Sequence, residues 1–204
     1  MLNILFPNIC WEKIECVCVD LDGTIYDEYE FIDQVYEKIA SEFADEIKKE
    51  LSGFLKLRWL QKGSSYPKIF KEAENKFQLT GLESKALEIF RNYKPEIKLS
   101  GRAKFILNEL KNNVPLMLLI TDGKEILQNN KVRSLGINYF FNEIIVTKNF
   151  PKPSQFYGSY LIKKYNLKNN RVVFLGDREA DRAFSENCGF QFLKSELWNY
   201  KYIN

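Results

Sequence analysis

Apolar positions recur along this chain with two different periods, and the change from one to the other divides it. Ile14-Glu15-Cys16-Val17-Cys18-Val19 is a short, almost continuous apolar run, rich in β-branched residues, that ends at Asp20-Leu21-Asp22-Gly23-Thr24. Such a run reads as a strand buried on both faces, as in a parallel sheet. From Ile32 the spacing becomes helical: Ile32, Val35, Tyr36, Ile39, Ala40, Phe43, Ile47 and Leu51 line one face. This predicts one long helix that Gly53 ends or bends, with Phe54 to Leu60 able to continue it. Gly63-Ser64-Ser65 breaks the pattern, and Pro67 suits the first turn of a second helix whose apolar face is Ile69, Phe70, Ala73 and Phe77. Thr80-Gly81 interrupts again, and a third helix is predicted from Glu83 to Tyr93, stopped by Pro95.

From Ser100 strands and helices alternate. Ser100 is an N-cap for a helix built on Ala103, Ile106, Leu107 and Leu110. The pattern then predicts a strand at Leu116 to Thr121 and a helix from Lys124 to Leu135 capped by Gly136. A strand at Glu143 to Thr147, a helix from Ser154 to Tyr165 and a strand at Arg171 to Leu175 come next. A helix from Arg178 to Asn187 and a short strand at Gly189 to Phe192 complete the series. Alternation of this kind implies an α/β fold, a doubly wound parallel sheet with right-handed crossovers. Because the first strand precedes the helical block, the expected organisation is an α/β core of residues 1–30 and 99–204 with an inserted helical unit of residues 31–98. The stretch from Glu196 to Asn204 carries no readable pattern.

Composition narrows the chemistry. With 204 residues, 45% hydrophobic and 15% aromatic, the chain can bury a sizeable core and suits one domain carrying an insertion. The net charge is +3 with both signs mixed along the sequence, and no basic stripe marks a nucleic-acid surface. There is no histidine, which excludes Ser-His-Asp and Cys-His catalysis and His-ligated metals. Acid–base work falls to carboxylates, Lys, Tyr or Cys, and a bound metal should be a hard cation on oxygen ligands, which Mg²⁺ fits. Cys10, Cys16, Cys18 and Cys188 form no CxxC pair and read as reduced thiols of a cytoplasmic protein. Met1 to Cys10 lacks a basic leader region and is interrupted by Pro7, so no signal peptide is expected; no apolar stretch is long enough to span a bilayer.

The two carboxylates of Asp20-Leu21-Asp22-Gly23-Thr24 lie at the carboxyl end of a strand, where open α/β sheets bind ligands. Alone, the pentapeptide is equally a polar turn. Three later stretches give it weight: Ile120-Thr121-Asp122-Gly123, Lys152-Pro153, and Gly176-Asp177-Arg178-Glu179-Ala180-Asp181. In this order, with Leu135-Gly136-Ile137 and Tyr139-Phe140-Phe141 between them, they resemble the four motifs of the haloacid dehalogenase (HAD) superfamily of hydrolases: DxDGT, a Ser or Thr ending a strand, a Lys, and GDxxxD. The resemblance spans nearly the whole chain.

The resemblance implies a division of labour. Asp20 would be the nucleophile that forms an aspartyl-phosphate, and Asp22 the general acid and base. Asp20, the backbone carbonyl of Asp22 and Asp177 would supply the protein's share of a Mg²⁺ shell, with Asp181 ligating through water or orienting a ligand. The cation would screen the repulsion between an anionic nucleophile and a phosphate dianion. Thr121 and the backbone N–H of Asp122 would bind phosphoryl oxygens, and Lys152, in preference to Lys148, would supply a fixed positive charge. The Asp at position 22 resembles the phosphatases and phosphomutases of the superfamily; the dehalogenases generally lack it. Many relatives have Asn where this chain has Asp122, whose carboxylate must then point away from the phosphate. The helical block resembles a mobile cap, hinged near Tyr26–Glu30 and Ile97–Ser100, with Arg58, Lys62, Lys68 and Lys71 available to an anionic substrate. The resulting expectation is a cytoplasmic Mg²⁺-dependent phosphatase of small phosphorylated metabolites, a monomer or weak homodimer. A phosphomutase of the β-phosphoglucomutase kind and a non-catalytic metabolite-binding module on the same fold are the alternatives.

Overall fold

Residues 1–43 and 45–199 are described in the computed structural model. Among them five strands pair in one wholly parallel sheet: β1 (Cys16–Val19), β2 (Leu116–Asp122), β3 (Glu143–Thr147), β4 (Val172–Gly176) and β5 (Gln191–Lys194), in the order β3-β2-β1-β4-β5. β1 is central, with Cys16 opposite Leu116 on one side and Val172 on the other. All four of its residues are buried, which is why its sequence shows no polar alternation. The chain winds outward through β2 and β3, then crosses back to β4 and β5. The order therefore reverses at β1, and the crevice of such a sheet opens at the carboxyl ends of the strands there.

The helices of this unit are α1 (Leu2–Leu5), α6 (Gly101–Asn113), α7 (Glu125–Leu135), α8 (Phe156–Tyr165) and α9 (Glu179–Cys188). Ser100 caps α6, its Oγ accepting the Ala103 N–H at 3.1 Å, and Gly136 ends α7 in the left-handed region at φ 63°. On one face of the sheet Cys16, Cys18, Leu118, Ile120 and Phe174 pack with Leu161 of α8 and with Phe184 and Cys188 of α9. The rings of Phe174 and Phe184 meet edge-on at 5.3 Å. A fully buried Phe of this kind contributes about 2–3 kcal/mol by removal from water. Cys16 and Cys18 serve here as small apolar residues in a close-packed core.

Two compact units are present. Met1–Glu28 with the chain from Ile97 onward forms the α/β unit, and Tyr29–Glu96 forms a helical one. The helical unit holds α2 (Glu28–Ala40) from its second residue, α3 (Asp45–Lys62), α4 (Ile69–Phe77) and α5 (Leu82–Asn92). Its interior is aromatic: Phe90 meets Phe31 at 5.2 Å and Phe70 at 5.8 Å, both edge-on. The long helix expected through Leu51 is in fact two. It stops at Ala40, where Glu42 and Phe43 switch to i−3 hydrogen bonds and the Ser41 hydroxyl donates to the Lys38 carbonyl at 2.7 Å. A hydroxyl competing for a helix carbonyl in this way favours termination. α3 then runs straight through Gly53, which is exposed with open space around it. Of the basic residues expected on this unit, Arg58 pairs with Glu72 at 2.8 Å, Lys71 with Glu74 at 2.6 Å, and Lys62 lies over the Tyr66 ring. Lys68 is exposed just ahead of α4. Among the described residues no helix is long and apolar enough to cross a membrane.

Candidate active site

Asp20 is the first residue beyond β1, and its N–H extends the parallel pairing by bonding the Leu175 carbonyl at 2.9 Å. Its side chain is buried beside Lys152, which arrives from a loop 132 residues later in the chain. The Lys152 Nζ lies 2.6 Å from Asp20 Oδ1, 2.5 Å from Asp181 Oδ1 and 3.4 Å from the Ile120 carbonyl, above the ring of Phe174. Three acceptors match the three donors of an ammonium. Burial pushes the Asp20 carboxyl up to about 7 against the pull of Lys152. Burial also works against the charge on Lys152, but Asp20 and Asp181 outweigh it and hold the ammonium above its usual range.

Asp177 and Asp181 come from the turn after β4 and the first turn of α9. The second oxygen of Asp181 accepts the Arg178 N–H at 3.1 Å, so one side chain caps the helix and faces Lys152. Asp177 Oδ1 accepts the Thr24 hydroxyl at 3.3 Å and lies 3.8 Å from Arg178 Nε. Burial pushes Asp177 up to about 6. Gly23 is left-handed at φ 78°, and a Cβ there would stand 2.4 Å from Asp177 Oδ2. The turn of DLDGT and the Asp177 carboxylate are thus in direct contact, and the contact requires glycine.

A divalent cation suits this cluster. Asp20, Asp177 and Asp181 each offer one carboxylate oxygen, and these atoms lie within 4.8 Å of one another. Asp20 Oδ2 is buried with no hydrogen-bond partner, an arrangement that is costly unless a cation or another electrophile meets it. Among the described residues, the three carboxylates pair with one buried ammonium and the partly exposed Arg178 guanidinium. The donors are all oxygen, which selects a hard ion.

Asp22 stands in a second cluster. Lys131 Nζ donates to its Oδ1 at 2.7 Å, Gln128 Nε2 to its Oδ2 at 2.8 Å, and the Tyr26 hydroxyl to Oδ1 as well. Burial works against its charge, but Lys131, Tyr26 and Gln128 together hold the carboxyl below the usual range. Its carboxylate is not one of the three in the acidic cluster of Asp20, Asp177 and Asp181. Gln128 also reaches Thr121 Oγ1 at 2.6 Å and the Asp122 carbonyl at 2.9 Å. The Thr121 oxygen accepts that bond, which leaves its own proton to be donated elsewhere. Lys131, Gln128 and Tyr26 escaped the sequence reading. The signal was there: Gln128 and Lys131 fall on the same buried stripe of α7 as Leu127, Val132 and Leu135, and polar side chains on such a stripe need partners.

Asp122, the departure from the motif, has its carboxylate occupied. Oδ1 accepts the Thr147 hydroxyl and the main-chain N–H of Lys152 at 3.1 Å, so it braces β3 and the loop that carries Lys152. Lys148, the competing lysine, pairs with Glu125 at 2.6 Å on the surface. The sequence profile of the haloacid dehalogenase-like hydrolases matches residues 17–194, from β1 through β5. The chain belongs to this family. As a haloacid dehalogenase-like hydrolase it has a curated relative, the glyceraldehyde 3-phosphate phosphatase of Methanocaldococcus jannaschii, 28% identical over 186 residues, which cover 81% of this chain and 77% of the relative. Among solved structures, a HAD-superfamily hydrolase of subfamily IA from Geobacter sulfurreducens aligns with a TM-score of 0.66 at 18% identity, covering 88% of this chain and 86% of its own. A HAD hydrolase from Bacillus subtilis, solved with magnesium and showing interdomain movement, aligns with a TM-score of 0.65 at 16% identity over 88% and 85% of the two chains. Both share this chain's fold.

Proposed function

We propose that this hydrolase is a Mg²⁺-dependent phosphatase that cleaves small phosphorylated metabolites through an aspartyl-phosphate on Asp20. The observation that carries the reading is the state of the Asp20 carboxylate. One oxygen is fixed by Lys152 at 2.6 Å and the other has no hydrogen-bond partner. A carboxylate immobilised through one oxygen presents the second as a nucleophile in a defined direction. The phosphatase relative, whose named substrate is a three-carbon phosphate ester, supports the same reaction class.

Mg²⁺ held by Asp20 and Asp177, with Asp181 beside them, would supply charge neutralisation and Lewis acidity at the phosphoryl group. The chain's own groups divide the rest. Lys152, its donors taken up by Asp20, Asp181 and the Ile120 carbonyl, would supply fixed positive charge beside the nucleophile, the Thr121 hydroxyl would donate to a phosphoryl oxygen, and Asp122 braces Lys152 through its backbone. Asp22, surrounded by donors, stands as a carboxylate, the state in which it takes a proton from the water that hydrolyses the acylphosphate. To protonate a departing alkoxide it must first take up a proton from solvent, which the ion pair with Lys131 opposes. The helical unit is proposed as a cap, and altered hydrogen exchange at Tyr26–Glu30 and Ile97–Ser100 on phosphate-analogue binding tests that assignment. The reaction itself is tested by phosphate release from a panel of phosphomonoesters with Mg²⁺, with and without EDTA, and by acid-trapping followed by intact-mass analysis. The wild type should turn over with Mg²⁺ and show an added phosphoryl group. A folded Asp20→Asn variant that releases phosphate at a near-normal rate would refute the assignment.

A further inference from the structure

The chain beyond β5 does something its sequence gave no sign of. β5 is an edge strand, and its last residue, Lys194, lies opposite Gly176 at the end of β4. From there the chain does not leave the sheet. Ser195 N–H bonds the Gly176 carbonyl at 2.9 Å, immediately before Asp177. Leu197, only 2% exposed, donates its N–H to the Thr24 carbonyl at 2.7 Å. The Trp198 indole N–H donates to the Gly23 carbonyl at 2.8 Å. Four consecutive residues therefore cross the carboxyl end of β4 and take hold of the turn that follows β1.

Those three carbonyls flank the contact on which the cation cluster depends. Gly23 touches Asp177 so closely that no side chain fits between them, and Thr24 donates its hydroxyl to the same carboxylate. The Trp198 indole holds the Gly23 carbonyl from outside the turn. We propose that Ser195–Trp198 is a clasp that sets the distance between the Asp20 turn and Asp177, with Trp198 as a positioning residue for the cation. The proposal rests on the reading of Asp20, Asp177 and Asp181 as a Mg²⁺ site. It predicts that loss of the indole donor weakens cation binding while leaving the core folded, because Trp198 is only partly buried and Phe keeps an aromatic ring there, though a smaller one.

The test is Mg²⁺ titration by calorimetry on purified full-length wild type, Trp198→Phe, Asp177→Asn and a Leu161→Val control that loosens the core on α8. Trp198→Phe should weaken Mg²⁺ binding about fivefold, the factor one such hydrogen bond is worth. Asp177→Asn should abolish binding, and Leu161→Val should lose thermal stability with Mg²⁺ affinity unchanged. Hydrogen exchange on the wild type supplies a second readout: Mg²⁺ should protect peptides covering residues 21–26 and 193–199 together. No Mg²⁺ binding by the wild type overturns both the site and the clasp. Binding that is lost in Asp177→Asn but unchanged in folded Trp198→Phe overturns the clasp alone. So does an equal loss of affinity in the Leu161→Val control, or protection of residues 21–26 without residues 193–199.

Discussion

Replacing Gly23 by Ala tests the geometry of the site with one methyl group. Two costs arise, and the structure separates them. The first is conformational: at φ 78° an L-residue costs about 1–2 kcal/mol relative to Gly. The second is steric: the new Cβ would lie 2.4 Å from Asp177 Oδ2 and 2.8 Å from its Cγ, against 3.4–4 Å for ordinary contact. Relief requires the carboxylate or the turn to move by about 1 Å, and misplacements of that size typically cost about a hundredfold in rate. Gly136 is the matched control, with φ 63° and nothing within 4 Å of its Cβ position. Gly136→Ala pays the first cost without the second. Gly136→Ala should lose about 2–6 °C in thermal midpoint, and Gly23→Ala at least as much. Only Gly23→Ala should also lose about two orders of magnitude in phosphate release and require more Mg²⁺ for half-saturation. The assays are differential scanning fluorimetry and Mg²⁺-dependent phosphate release on the two proteins side by side. Equal activity in the two variants would refute the claim that the Gly23–Asp177 contact sets the site.

Three further outcomes are expected. Asp22→Asn should be nearly inactive on alkyl phosphates, yet give a burst of nitrophenolate with p-nitrophenyl phosphate followed by slow turnover, because nitrophenolate leaves unprotonated and only the second step needs the base; rapid mixing with no burst and no phosphoenzyme would assign Asp22 to geometry instead. Lys131→Met leaves the buried Asp22 carboxylate without its cation and should cost about 3–5 kcal/mol in urea unfolding at neutral pH. Since the folded-state pKa of Asp22 lies below its unfolded value of about 4, the pair's contribution is present above that pH and lost below it, so the Lys131→Met deficit should shrink in acid; a constant deficit would contradict the ion-pair account. Iodoacetamide at pH 8 should label exposed Cys10 and spare Cys188, whose thiol burial raises to about 11, as well as buried Cys16 and Cys18; mass mapping that finds label on Cys188 in folded protein would show that α9 opens.

The pattern of apolar positions was sufficient for β1 to β4, because these strands are mostly apolar and each is followed by a break, and caps such as Ser100 and Gly136 are local chemistry; β5, half polar and partly exposed, begins two residues later than the pattern placed it. It was insufficient where a polar side chain decided the outcome against the pattern. The apolar stripe from Ile32 to Leu51 continues in register past the point where the Ser41 hydroxyl helps end α2, so periodicity alone could not see the break. In the site, Asp20, Lys152 and Asp181 were recognisable from motif order, and the structure brings them within hydrogen-bonding distance. The separation of Asp22 from them was not recognisable. A strand continued past Val19 would place residues 20 and 22 on one face, but β1 ends there, and Asp22 turns to a lysine 109 residues later that no local signal connects to it. Trp198 was invisible for the same reason: its partner is a backbone carbonyl 175 positions earlier, and any residue supplies a carbonyl.

The central position of β1 has a consequence for the order in which the molecule can be built. Cys16 pairs with Leu116 and Val172, so the strand that leads to Asp20 emerges early from the ribosome and finds both neighbours late. Contacts of such long sequence separation carry a large loop-closure cost and slow folding. In the interval the nascent chain carries an apolar strand with two open edges, while the helical insertion, which is compact and local in its contacts, can fold first. The insertion shortens the effective loop between β1 and β2 by collapsing it into a folded body. Destabilising that body, even at residues remote from any ligand, should therefore lower the yield of soluble protein more than it lowers the activity of the molecules that do fold.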